Sequence, residues 1–190
     1  MSEKYKKEHL PKETFTVDVL TDSDVDKLKP ILETHIKDDE TGELVQTEID
    51  EIQGYMNGEK DKFGRTRTYF VAKDNKGNIL GCVGITEPEP IMLSHFSTTP
   101  DESMEIVNAF VSNSVFRGGG VGRELFNTAC NFAKMDGKKQ IILNSGPRYK
   151  KSWGFYDRVC DENKGFLVDH YGKDRHAKTW IKLLKQKITT

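Results

Sequence analysis

An α+β fold is the expectation from sequence, and three features carry it. Two strand-like runs, residues 68–73 and 79–86, flank an Asn/Gly turn that folds them into an antiparallel pair. Stretches of helical periodicity stand among such strand-like runs in a regular succession. The chain is 190 residues long without an internal repeat or a linker, so residues 1–190 read as one domain.

The elements follow in chain order. Thr14 to Leu20 alternates in polarity as a half-buried strand does, and Thr21-Asp22-Ser23-Asp24 offers capping oxygens before the periodic Val25, Leu28, Ile31 and Leu32. Val45, Ile49, Ile52 and Met56 mark a second helix that Gly58 can close. After the hairpin, Pro88, Pro90 and Pro100 argue for a mobile surface loop from Glu87 to Asp101. Met104 to Val111 is an apolar strand. Val121 to Met135 is an amphipathic helix ending near Gly137. Lys139 to Asn144 is a further strand and Arg148 to Val159 a short helix. Phe166 to His170 and Ala177 to Leu184 are the closing strands.

Composition removes several classes of function. Twenty-nine basic and 30 acidic residues leave a formal charge of −1, so no bulk positive field gathers nucleic acid. No apolar run is long enough to span a membrane, and the charged start, Met1 to Lys12, has no hydrophobic signal region behind it, which makes a soluble cytoplasmic protein the expectation. Cys82, Cys130 and Cys160 are odd in number and far apart, the spacing of reduced, packed thiols. His170 and His176 lack the spacing of two ligands on one helical face, so no metal is expected.

The informative segment is Arg117-Gly118-Gly119-Gly120-Val121-Gly122-Arg123, between a buried strand and a helix. Helix starts present unpaired N–H groups, and glycines let a diphosphate approach them. The dinucleotide pattern G-x-G-x-x-G fails because Arg123 stands at its last glycine, and no Lys-Ser or Lys-Thr completes a nucleotide-hydrolysing loop. The pattern R-x-x-G-x-G is met by Arg117, Gly120 and Gly122, and with it the chain resembles the GNAT N-acetyltransferase superfamily. The strand Glu105-Ile106-Val107-Asn108-Ala109-Phe110-Val111, the segment Phe155-Tyr156-Asp157-Arg158 and the order of elements extend the likeness over most of the chain.

The resemblance implies a mixed, mostly antiparallel central sheet with helices on both faces. It also implies acetyl-CoA as cosubstrate without a metal, and transfer of its acetyl group to a primary amine of a small molecule or protein. The loop residues Arg117 to Arg123 would hold the diphosphate, and backbone groups of Phe110 and Val111, on a bulged strand that splays from its neighbour, would hold the pantetheine arm. Glu105 matches the family's acidic strand residue and is the candidate base. Tyr156 matches the tyrosine that protonates the departing thiolate, with Tyr149 the rival donor. A thiol with a pKa near 8.5 leaves more readily when protonated.

Three departures accompany the likeness. Tyr149 replaces an asparagine that commonly bonds pantetheine, the step from Val111 to Arg117 is one residue longer, and Gly165-Phe166 falls about five residues late. The extra residues, Val159 to Lys164, are expected to extend a loop beside the acceptor pocket. Eight acidic residues between Glu33 and Glu51 against one base, Lys37, favour a cationic acceptor. The resemblance leaves pairing into a homodimer open, and the remodelled Tyr149 position motivates the alternative of a noncatalytic acyl-CoA-binding regulatory domain.

Overall fold

The computed structural model describes residues 14–113 and 119–185. Among the described residues seven strands and five helices make the fold: β1 (Phe15–Val19), α1 (Asp22–His35), α2 (Gln46–Met56), β2 (Arg67–Asp74), β3 (Ile79–Thr86), α3 (Pro90–Phe96), β4 (Ser103–Val111), α4 (Val121–Met135), β5 (Gln140–Ser145), α5 (Trp153–Val159), β6 (Glu162–Leu167) and β7 (Ala177–Leu183), with a 3-10 turn at Pro147–Ser152 before α5. The strands form one sheet in the order β1-β2-β3-β4-β5-β7-β6, antiparallel everywhere except between β4 and β5. This is the mixed, mostly antiparallel sheet that the sequence leads one to expect.

Period-two alternation divides the core. Phe70, Ala72, Val83 and Ile85 meet Leu125, Phe126 and Ala129 of α4 on one face. Val71, Tyr69 and Cys82 meet Leu28, Leu32, Ile49 and Ile52 of α1 and α2 on the other. The start of α1 is held as its sequence suggests: Thr21 donates from both its N–H and its hydroxyl to the Asp24 carboxylate, which also accepts from Lys73 Nζ at 2.8 Å. No helix among the described residues is long and apolar enough to cross a membrane.

Two elements differ from expectation. The proline-rich stretch contains α3, because Pro90 sits in the first turn, where no N–H is needed, and Met92 is fully buried. Strand β6 begins at Glu162, four residues before the expected Phe166, so Glu162 to Lys164 are strand rather than loop. It is an edge strand whose residues up to Phe166 are exposed, and Gly165, at φ 79°, lies in an irregularity against β7. An edge strand without a buried face lacks the alternation that reveals strands in sequence. The expected short helix at Arg148 to Val159 is two pieces, the 3-10 turn and α5.

Candidate active site

The site begins with a defect in β4. Across β3, Cys82 faces Phe110 and Gly84 faces Val107, so β4 carries one extra residue between these pairs, and Asn108 takes φ 47° there. On its other edge β4 pairs with β5 only from Ser103–Gln140 to Ile106–Leu143. Beyond that point β4 follows β3 and β5 follows β7, which opens a split between them. Ser112 N–H donates to Leu80 O on the β3 side, so the alternation of an antiparallel ladder turns the N–H and C=O of Val111 toward the split.

The bulge and splay expected around Phe110 and Val111 are therefore present, with one difference. The Val111 carbonyl is already engaged, since His35 Nε2 lies 2.8 Å away at the end of α1. The Phe110 ring is buried between His35 and Tyr149, with centroids 5.6 and 5.9 Å away. The Val111 N–H, not its C=O, is the group left facing the split.

On the α4 face, Gly120 precedes the helix at φ 88°, a conformation suited to glycine, and its carbonyl accepts the first helical bond from Glu124 N–H. The N–H groups of Val121, Gly122 and Arg123 come before that first bond and are the orphan donors of the helix start. Gly119 adjoins them, whereas Arg117 and Gly118 lie outside the described residues.

The opposite face holds a cavity of about 530 Å³ between α2, the segment before β2, the end of β5 and the β6–β7 connection. Tyr149 lines it, as do Glu48, Glu51, Arg67, Glu89, Asn108, Arg148, Tyr171 and Arg175. Tyr171 and Arg175 put the β6–β7 connection at the cavity, the place that Val159 to Lys164 were expected to take. Arg148 of the 3-10 turn bonds Glu48 at 2.7 Å, which ties the end of β5 to α2.

Glu105 lies behind the cavity wall, 2% exposed. Its Oε2 accepts from Glu89 N–H at 3.0 Å, and its Oε1 accepts from Asn144 Nδ2 at 3.3 Å. Asn144 Oδ1 in turn accepts from the Tyr171 hydroxyl at 2.6 Å, joining the buried carboxylate to the cavity. Arg65, itself buried, donates to Asp61 and to Glu89 and brings Nη1 within 3.6 Å of Glu105. Burial nevertheless dominates and lifts the Glu105 carboxyl to about 7, opposed by the Glu89 N–H and by the arginines.

The raised value has a stability consequence. Between the ordinary carboxylate range and pH 7 the folded chain holds a proton that the unfolded chain has lost, so Glu105 costs stability as pH rises through this window. Glu105→Gln should therefore leave stability nearly unchanged at pH 4 and raise it at pH 8, by on the order of 3 kcal/mol before lost contacts are counted. Urea denaturation of both proteins at the two pH values checks this.

Tyr156 stands on the α4 side, buried with Val159 against Trp180, its ring 5.3 Å from Phe155 and 5.2 Å from Trp180. Trp180 Nε1 donates to Asp157, which fixes α5 on β7. Burial pushes the Tyr156 phenol up, so it stays protonated at neutral pH. The two candidate donors thus occupy opposite faces of the sheet, Tyr149 in the cavity and Tyr156 behind the split. Burial also lifts Cys82, Cys130 and Cys160 to about 12, which keeps them as unreactive thiols.

Sequence reasoning missed Arg65, Arg67, Asn144 and Tyr171. Each is an ordinary polar residue in its own segment, and only the sheet order brings them beside Glu105 and Asn108. A family model described as the acetyltransferase (GNAT) family matches residues 29–161. No curated protein sequence matches the chain. Among solved structures, an aminoglycoside 6'-acetyltransferase of type Ii is 18% identical with a TM-score of 0.65, over 90% of this chain and 99% of its own. An aminoglycoside 6'-N-acetyltransferase complexed with coenzyme A is 16% identical with a TM-score of 0.64, over 90% and 98%. A spermidine N-acetyltransferase mutant from Vibrio cholerae is 19% identical with a TM-score of 0.62, over 92% and 96%. At these identities the likeness is one of fold.

Proposed function

Since the chain belongs to the GNAT acetyltransferase family, we propose that it is an N-acetyltransferase that passes the acetyl group of acetyl-CoA directly to a primary amine. The observation that carries this reading is the split between β4 and β5. It opens between the face that carries the orphan amides of α4 and the face that carries the cavity. A thioester seated in the split would have its diphosphate at the Val121, Gly122 and Arg123 amides, with Arg117 to Gly120 leading into them, and its pantetheine arm along Val111 N–H. The acceptor would enter from the cavity.

The chemistry follows from the groups present. An alkyl ammonium, with a pKa near 10.4, must lose a proton before it can attack. Glu105, at about 7, is suited to take it, and since its carboxylate is behind the wall the proton would pass through water in the cavity. The free amine then attacks the thioester carbonyl. The tetrahedral adduct would collapse to amide and thiol, with Tyr156 giving its proton to the leaving sulfur and regaining one through water from the adduct's nitrogen, which must shed it to become the amide. Burial that holds all three thiols protonated supports direct transfer without a cysteine relay.

The test mixes the pure protein with acetyl-CoA and a panel of amines, following free thiol and the mass of the product. Thiol release that requires an amine, with the acetylated amine in the mass spectrum, supports the reading. Thermal stabilisation by acetyl-CoA without an acetylated product from any amine would favour a binding domain instead.

A further inference from the structure

We propose that the acceptor is a small zwitterion, an amine bearing its own carboxylate, and that Arg67 holds this carboxylate in the cavity. The proposal rests on the acetyltransferase reading and deepens it. Its starting point is the balance of charge around the cavity, which differs from the acidic character that residues 33–51 suggest. The acids there have partners. Glu48 is bonded by Arg148 at 2.7 Å, Asp61 and Glu89 meet Arg65 at 2.6 and 3.3 Å, Glu51 accepts from the Tyr55 hydroxyl, and Asp39 beside the rim is bonded by Arg175 at 2.7 Å. The expected attraction for a purely cationic acceptor is thereby reduced within the protein, most of all at Glu48 and Asp39.

The guanidinium groups are the ones left wanting. The Nε–H groups of Arg67, Arg148 and Arg175 are buried without a hydrogen-bond acceptor among the described residues, and all three side chains line this cavity. Arg67 is the best placed. Its side chain is 11% exposed, and its nearest carboxylate, Asp61, is 3.7 Å away and already bonded by Arg65. The Tyr55 ring lies 3.8 Å beneath the guanidinium, and Nη1 donates to Asn108 Oδ1 at 2.5 Å. Asn108 is the bulge residue of β4, so the same contact that orients Arg67 ties it to the strand edge at the split.

A buried donor without an acceptor is costly to leave unmatched, and a carboxylate offers two oxygens in the geometry a guanidinium fits. A cavity of about 530 Å³ is in the range that takes small molecules. An acceptor carrying only positive charge would instead meet Arg67, whose nearest carboxylate is 3.7 Å away and bonded elsewhere, as a like charge. Anchored at Arg67, a zwitterion leaves its ammonium group free to turn toward the split.

The experiment compares matched sets of acceptors, each an amino acid with its carboxamide, its decarboxylated amine and its aminophosphonate analogue, using acetyl-CoA and product mass with wild type, Arg67→Gln and Arg67→Lys. The expected result is that wild type prefers the zwitterion to its amide and amine by about 100-fold in kcat/KM. Arg67→Gln should abolish that preference through KM for the zwitterion, and Arg67→Lys should restore part of it. Calorimetric titration with acetyl-CoA verifies that each variant is folded. Decarboxylated amines used as well as zwitterions by wild type would overturn the proposal and leave acetyl transfer standing. Preference for the aminophosphonate would overturn the choice of carboxylate, and a preference surviving in Arg67→Gln would overturn the role of Arg67. No acetylated product from any acceptor would bring down the transferase reading itself, a different failure from the first three.

Discussion

Gly122→Asp should weaken acetyl-CoA binding by about 100-fold while leaving the folded chain as stable as before or slightly more so. A Cβ at this position would lie 3.6 Å from Val111 Cγ2 and 3.9 Å from Phe155 Cζ, which are ordinary contacts, so the protein itself has room for a side chain. Aspartate in the first turn of α4 also suits the helix dipole, worth about 0.3–1 kcal/mol, and glycine is the poorer helix former. A ligand seated on the amides would meet that side chain, and an aspartate there would oppose a diphosphate in both bulk and charge. Gly120 is a less clean target, because its φ of 88° would strain any replacement. Calorimetric titration with acetyl-CoA and a thermal melt check the two halves of the prediction, and affinity kept at the wild-type value would place the diphosphate elsewhere.

The second large effect concerns the proposed proton donor. Tyr156→Phe should lower kcat by about 100-fold with little change in KM for acetyl-CoA, the signature of a contact made in the transition state. The substitution removes only the hydroxyl and leaves the ring against Phe155 and Trp180, so folding should be unaffected. Because burial raises the phenol further, the proposed base Glu105 should set the acidic limb of the pH–rate profile, and activity should fall as pH drops below about 7 in wild type and variant alike. Steady-state kinetics over pH 5 to 9, with Tyr149→Phe alongside, decide the matter. A full loss in Tyr149→Phe and none in Tyr156→Phe would move the donor to the cavity face.

What the sequence shows and what it hides have physical causes. Helix α4 is legible because it buries one face, so the period of its apolar residues survives in the chain, and the β2–β3 hairpin is legible because two apolar runs, buried on both faces, flank an Asn/Gly turn. Strand β6 is hidden because it is an edge with hardly any buried side chain, and α3 because its prolines read as breakers when Pro90 in fact opens the helix. Glu105 and Tyr156 stand out through the motifs around them. Arg67 and Asn108 do not, since 41 residues separate them and only the pairing of β2 with β3 and of β3 with β4 brings them together. The same holds for Tyr171 and Asn144, whose meeting depends on the β6–β7 connection folding back over the end of β5. Charge counted along residues 33–51 also misleads at the cavity, because Arg148 and Arg175, remote in sequence, pair with Glu48 and Asp39.

The short parallel ladder between β4 and β5, confined to Ser103–Ile106 against Gln140–Leu143, makes the sheet two plates joined by a narrow seam. Local opening should cost least along such a seam, where few rungs resist it. A long, thin molecule lodged in the gap would replace the missing rungs with its own amide groups, so the occupied protein should be the stiffer one along this line.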